Sequence, residues 1–321
     1  MSMNVILHIF LLIIGFVFLT KGADYLVIGA SSLAKKMSVS EIAIGLTVVS
    51  FGTSMPELIV NIFANIQGKA DIAFGNIIGS NIVNILLILG VAGIIYPIKT
   101  AQNTVWKEIP FSLLAVFALL VLCNDFFLNG QDSVLSRGDG IVLLLFFLVF
   151  LIYVFGIPRV ESHDKPDIKM LSGMKTLIFI VVGLAGLMAG GRLVVMSAVE
   201  ITKSIGISER LIGFTVVAVG TSLPELFTSA VAAYKGKCDI AIGNVVGSNI
   251  FNIFFILGVS ALIAPLPFQL AFNVDILILA AASIILFFTM FTGKKHSLDR
   301  WESILFVILY LGYTIFLIMR K

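Results

Sequence analysis

The chain has 321 residues, of which 59% are hydrophobic and 12% charged, with a formal net charge of +3 and a mean hydropathy of +1.11. A soluble domain carries about 25% charged residues, so these side chains cannot cover a water-facing surface, and the expected solvent is lipid. The small net charge and the lack of a basic cluster give no sign of nucleic-acid binding.

A bilayer-spanning helix needs about 20 mostly apolar residues. The length therefore allows roughly ten spans with short loops. The first predicted span covers residues 5–34 and carries Lys21 and Asp24. No small-residue cleavage site follows its apolar start, so it reads as a retained helix rather than a signal peptide. The second covers 41–66 and is interrupted at 52–56, the third covers 71–95, the fourth 108–122 and the fifth 141–155. Residues 96–107 and 124–139 read as loops, the latter with Asn-Gly and Gly-Asp-Gly turn signals. The stretch 158–172 mixes Arg159, Glu161, Asp164, Lys165, Asp167 and Lys169, and reads as a linker. The second half repeats the plan at 174–203, at 209–234 with a break at 220–224, and at 239–263, 274–292 and 304–319. The expected domains are a five-helix repeat at 1–157, a linker at 158–173 and a second five-helix repeat at 174–321. Cys123 and Cys238 are too few for a disulfide framework.

Lysine and arginine set orientation. The side receiving the loops after the odd-numbered spans holds thirteen of them, the other side six, with Lys21 and Arg192 inside spans. Both termini are then expected outside and the linker in the cytoplasm. An odd number of spans per half makes the two halves inverted, as in many secondary transporters.

The two halves share text. Residues 45–90 read GLTVVSFGTSMPELIVNIFANIQGKADIAFGNIIGSNIVNILLILG. They return 168 residues later as GFTVVAVGTSLPELFTSAVAAYKGKCDIAIGNVVGSNIFNIFFILG, with 27 of 46 positions identical. Pro56 has no N–H to give and clashes with the preceding turn, so the helix kinks and frees carbonyl oxygens near Gly52 and Thr53. In lipid these must find another partner, and a cation suits them. Glu57 adds a carboxylate one turn beyond Thr53, and Asn61 and Asn65 continue the stripe. The second copy offers Thr221, Glu225, Ser229 and Ala233. In the next span Asn76, Ser80 and Asn84 share a face, as do Asn244, Ser248 and Asn252. Gly75 with Gly79, and Gly243 with Gly247, permit close helix approach. The polar groups are nearly all oxygen, without His or Cys, which suits hard cations such as Ca2+ and Na+ rather than Zn2+ or copper. Two carboxylates sum to −2, a charge that one Ca2+ or two Na+ neutralise. Such competition for one set of oxygens is what an exchanger requires.

The pairs GTSMPE/GTSLPE and GNIIGSNIVN/GNVVGSNIFN resemble the two alpha-repeats of the calcium/cation antiporter superfamily, specifically the prokaryotic sodium/calcium exchangers. The resemblance implies an all-α integral membrane fold of ten transmembrane helices in two inverted five-helix repeats, with helices 2, 3, 7 and 8 forming the ion-binding core. It implies that helices 1 and 6 move as a gating pair during alternating access. It implies that Glu57 and Glu225 bind Ca2+ with the carbonyls of Thr53 and Thr221. Ser54, Ser80, Ser222 and Ser248, with the carbonyls of Ser50 and Ala218, would complete flanking Na+ sites, and Asn84 and Asn252 would line the centre. Some relatives carry aspartate where this chain has Asn252. Asparagine here leaves the two glutamates as the only central charges and argues against a potassium-dependent type.

Plainer roles compete at several positions. Ser54 and Glu57 fit a helix-capping box, a role compatible with ion binding. Asp71 and Asp239 read as N-caps, and Glu41 and Glu209 as first-turn charges. Asn81 and Asn249 are expected to make interhelical hydrogen bonds. Asp24 could pair with Lys21 or, across the repeats, with Arg192. His8, His163 and His296 are scattered and read as no metal site. The expected function is Na+/Ca2+ antiport without a cofactor, enzymatic step or obligatory protein partner, with Ca2+ and Na+ as cargo. A Ca2+/H+ antiporter is the alternative within transport. An intramembrane protease is a remote one, because the acids sit among Thr, Ser and Asn oxygens without a protease motif.

Overall fold

The computed structural model describes residues 3–125, 130, 133–156, 170–204, 218–293 and 295–320. Most of the predicted linker and the start of the seventh predicted span, including Glu209, lie outside them. The helices are α1 (Met3–Met37), α2 (Glu41–Thr53), α3 (Met55–Ile66), α4 (Ala70–Ile95), α5 (Thr104–Leu122) and α6 (Arg137–Phe155). The second half contributes α7 (Gly173–Ser204), α8 (Ala218–Gly220), α9 (Leu223–Tyr234), α10 (Cys238–Ile263), α11 (Phe272–Thr289) and α12 (Arg300–Met319). Among the described residues, 8 helices are long and apolar enough to cross a membrane, and the bent pair of α2 and α3 makes up to 9.

The predicted proline break is present. α2 and α3 meet at an angle of 48°, with Ser54 between them and Pro56 in the first turn of α3. A proline ring and its missing N–H are tolerated at a helix start but not inside one, so the chain restarts rather than bends smoothly. α8 and α9 repeat the arrangement at Ser222 and Pro224. Among the described residues, four helices widen into π-helical turns: α2 over Gly45–Val49, α4 over Val83–Ile88, α5 over Thr104–Glu108 and α10 over Phe251–Leu257. Such turns are rare and cluster at functional positions.

α4 and α10 form the buried centre, with most of each helix covered by protein. α1 and α7 lie side by side, antiparallel, on a stripe of small residues. A Cβ on Gly22 would come within 2.8 Å of the Gly183 carbonyl oxygen and 2.8 Å of Leu187 N. One on Gly190 would meet the Gly15 carbonyl oxygen at 2.8 Å. In lipid, where apolar side chains gain little by leaving the solvent, this close backbone approach is what holds two helices together.

Two regions read as loops are partly ordered. Between α4 and α5 lies β1 (Ile98–Lys99), which pairs antiparallel with β4 (Ser297–Leu298) between α11 and α12. Between α5 and α6 lies β2 (Val134–Leu135), which pairs with β3 (Leu266–Pro267) between α10 and α11. Two-residue strands leave no periodic signal in a sequence. α5 and α6 also begin about one turn earlier than expected, α6 on a capping box formed by Ser136 and Asp139.

The close contact between α1 and α7 yields a prediction. Gly22→Val should force backbone apart and destabilise the protein by about 1–3 kcal/mol, seen as a lower unfolding midpoint in detergent. Gly312→Ala, where nothing lies within 4 Å of the added methyl, should instead raise it by about 0.5–1 kcal/mol, because alanine is the better helix former.

Candidate functional site

The breaks at Ser54 and Ser222 place two glutamates in the first turns of α3 and α9, both fully buried. Each glutamate accepts from a serine hydroxyl of the opposite half. Ser54 Oγ donates to Glu225 Oε1 at 2.8 Å, and Ser222 Oγ donates to Glu57 Oε1 at 3.2 Å. Ser54 Oγ also lies 3.0 Å from Ser248 Oγ, and Ser80 Oγ donates to Glu57 Oε1 at 3.5 Å. The main chain behind each acid is held as well: Asn76 Nδ2 donates to the Glu57 carbonyl and Asn244 Nδ2 to the Glu225 carbonyl, both at 3.3 Å.

Neither serine caps its own helix. Ser54 and Ser222 occupy the N-cap positions but make no side-chain cap bond. The capping-box expectation for Ser54 and Glu57 therefore fails, because the hydroxyl reaches across to the other half instead. Asp71 and Asp239 are likewise not N-caps. Lys69 and Lys237 hold those positions, and the acids fall in the first turn. Asp71 accepts from Gln269 Nε2 at 2.7 Å. Glu41 is a first-turn residue as expected, and it pairs with Lys237 at 2.9 Å. Asp24 pairs with Lys235, the C-cap of α9, rather than with Lys21 or Arg192.

Asn84 and Asn252 sit in the π turns of α4 and α10. Their amide nitrogens are both committed at 2.9 Å, Asn84 Nδ2 to Asn249 Oδ1 and Asn252 Nδ2 to Asn81 Oδ1. Asn81 Nδ2 donates to the Asn249 carbonyl at 3.2 Å, and Asn249 Nδ2 to the Asn81 carbonyl at 3.3 Å. The expectation of interhelical bonds at 81 and 249 is met. Their effect is to orient two further amides so that Oδ1 of each is left over.

Four buried acceptors then have no hydrogen-bond partner among the described residues: Glu57 Oε2, Glu225 Oε2, Asn84 Oδ1 and Asn252 Oδ1. α3 packs on the π turn of α10, and α9 on the π turn of α4, so each glutamate faces the opposite asparagine's helix. Leaving one buried polar atom unsatisfied costs about 1–3 kcal/mol. An ionised carboxylate and an amide oxygen only accept, so their missing partner must be electropositive. Hard cations match this all-oxygen set.

Other expected ligands are placed with differing freedom. The Ser50 carbonyl already accepts from Ser54 N at 3.0 Å and Thr53 Oγ1 at 3.3 Å, so an ion can use it only when one of these lets go. Thr53 Oγ1 also donates to Asn244 Oδ1 at 3.0 Å, whereas Thr221 Oγ1 is buried without a partner among the described residues. Ala218 is described only in its main chain, at the start of α8. Asn61 and Asn65 leave the site: Asn61 Nδ2 donates to the Ala73 carbonyl at 2.8 Å and Asn65 Nδ2 to the Ser260 carbonyl at 2.5 Å. They tie α3 to α4 and α10 instead of extending the ion-facing stripe. An apolar cavity of about 520 Å³ lies along α2, lined by Leu46, Phe51, Met55, Phe147 and Phe251 among others.

Removing the asparagine cross-tie should be costly. Asn81→Leu takes away the partner of Asn252 Nδ2 and the donor to the Asn249 carbonyl. Two orphaned groups should lower stability by about 2–5 kcal/mol, read as a drop in the unfolding midpoint of the purified protein. A midpoint within a degree of the parent's would show that the tie is not needed.

Comparison with known proteins finds relatives over nearly the whole chain. The profile of the family described as sodium/calcium exchanger protein matches residues 7–156 and 175–319. The sodium/calcium exchanger MaX1 of Methanosarcina acetivorans is 34% identical, covering 96% of this chain and 97% of its own. The putative antiporter CaxA of Alkalimonas amylolytica is 37% identical, covering 94% of this chain and 95% of its own. Among solved structures, the sodium-calcium exchanger NCX_Mj without Na+ and Ca2+ superposes with a TM-score of 0.82 at 35% identity, covering 98% of this chain and 99% of that one.

Proposed function

Because this chain belongs to the sodium/calcium exchanger protein family, we propose that Glu57 and Glu225 are the shared ligands through which it exchanges Na+ for Ca2+ across a membrane. The observation that carries this assignment is the set of four buried oxygens, Glu57 Oε2, Glu225 Oε2, Asn84 Oδ1 and Asn252 Oδ1, without a donor among the described residues. Ca2+ takes about six to eight oxygens. The carbonyls of Thr53 and Thr221 add to the four. Ser54, Ser80, Ser222 and Ser248, with the carbonyls of Ser50 and Ala218, serve flanking Na+ ions. One Ca2+ or two Na+ balance the two carboxylates, so the same oxygens serve either cargo in turn.

Only a neutralised centre crosses cheaply between the two faces, because an uncompensated pair of carboxylates inside a membrane is expensive. This couples the two fluxes without an enzymatic step or a cofactor. In this reading the protein is a multi-pass membrane transporter of ten spans, with inverted halves at 1–157 and 174–321. The reciprocal serine-to-glutamate bonds and the mutual Asn81–Asn249 bonds support a twofold relation between the halves, since in such an interface each contact occurs twice with partners exchanged. α1 and α7, joined by their glycine stripe, suit a pair that slides as one body against the core. The lysine and arginine asymmetry places both termini outside and residues 158–173 in the cytoplasm.

Vesicles that contain the protein and internal Na+ should take up Ca2+ when diluted into Na+-free medium. Glu57→Gln and Glu225→Gln should each reduce the initial rate to background. A pH gradient alone should drive no uptake, and uptake driven by protons but indifferent to Na+ would falsify the sodium coupling. For sidedness, an impermeant thiol reagent should label Asp164→Cys from the cytoplasmic face, and labelling from outside would reverse the orientation.

A further inference from the structure

Outside the central site, two buried glutamates have no ion-pair partner among the described residues, Glu108 and Glu302, and of these only Glu108 leaves a carboxylate oxygen without a hydrogen bond. Glu108, at the end of the first turn of α5, is 1% exposed. Tyr153, near the end of α6, donates to its Oε1. Its Oε2 has no partner among the described residues, and neither has Oγ1 of Thr104, one turn earlier and also 1% exposed. The adjacent Lys107 does not fill the role, because its ammonium lies over the Tyr153 ring, 5.7 Å from the centroid.

The second half contains the same arrangement with the charge supplied. Asp275 in the first turn of α11 follows Glu108 at one residue short of the repeat offset. Tyr313 of α12 donates to its Oδ1 at 3.1 Å. Arg320 Nη1 donates to its Oδ2 at 2.8 Å, and Arg320 Nη2 donates to the carbonyl of Ala271. One guanidinium thus bridges the acid and the residue four positions before it. In the first half those two positions present Thr104 Oγ1 and Glu108 Oε2, both oxygens and both without a donor among the described residues.

A buried carboxylate stripped of its partner is strongly destabilising, so a positive charge belongs where Arg320 sits in the other half. The comparison sets that charge at one. No group of three His, Cys, Asp or Glu side chains able to hold a metal occurs among the described residues, which disfavours a divalent ion. Oxygen ligands select a hard cation.

We propose that Glu108 Oε2 and Thr104 Oγ1, both on α5, form a second cation site, for Na+, which supplies to Glu108 the positive charge that Arg320 supplies to Asp275. Neither α5 nor α6 contributes a residue to the central site, and the inference does not rest on that site's assignment.

The test uses full-length protein carrying Glu57→Gln and Glu225→Gln, so that the central carboxylates add no charge-driven binding. Its unfolding midpoint is measured against Na+ replacing choline at constant ionic strength. The midpoint should rise by a few degrees with Na+. Adding Glu108→Gln should abolish the rise, and adding Thr104→Val should shift the curve to about tenfold higher Na+ through loss of one ligand. An equal rise with Glu108→Gln overturns the proposal. So does a Glu108-dependent rise produced by Ca2+ but not Na+, or by acidification alone, which would mean that Glu108 holds a proton. If Glu108→Gln does not fold, Thr104→Val decides, and an unchanged Na+ dependence counts against the site.

Discussion

Each of the two central glutamates accepts a hydrogen bond from a serine of the other half of the chain. Ser54 serves Glu225 and Ser222 serves Glu57. A carboxylate inside a membrane protein is expensive unless it is hydrogen-bonded, and here each draws one of its donors from the other half. The two halves are therefore bound to each other by the groups that are hardest to bury. Separating them would strip both acids at once, so the groups that make the centre polar also hold the halves together.

The proline breaks make this exchange possible. In a continuous helix Ser54 would bond back to its own preceding turn, as Ser50 does to Leu46 at 2.8 Å. The restart at Met55 turns Ser54 out of that role, and its hydroxyl then reaches a residue 171 positions away. The asparagines complete the frame by a different device. Asn81 and Asn249 consume the amide donors of Asn252 and Asn84. What remains facing the glutamates is acceptors alone, which is the electrostatic complement of a cation. Donors are consumed in the frame and acceptors are left for the cargo.

The two halves are similar but not equal, and most of the differences lie around the centre rather than in it. Within the centre, Thr53 Oγ1 donates to Asn244, while Thr221 Oγ1 has no partner among the described residues. Asp24 pairs with Lys235, whereas the matching positions in the other half are Arg192 and Gln67. Asp275 has an arginine, and Glu108 has none among the described residues. A repeat that duplicates its centre can drift at its rim, because lipid and water there tolerate substitutions that a buried pair of acids does not.

The sequence by itself determined the solvent, the repeat, the breaks and the two glutamates. Each of these is local: apolar runs, identical text, a proline in a helix and an acid in an apolar segment can be read one segment at a time. It also located Asn81 and Asn249 as interhelical ties, since they lie off the face shared by Ser80 and Asn84. Only the tertiary structure decided which donor serves which acid. Ser54 and Glu57 look like a local capping box, and the fold instead sends the hydroxyl to Glu225. Asn61 and Asn65 continue the stripe of Glu57 by spacing, and the packing of α3 against α4 and α10 turns them into ties. Partners far apart in the chain, among them Asp24 with Lys235, β1 with β4 and Arg320 with Asp275, are set by helix placement, which no single stretch of sequence encodes.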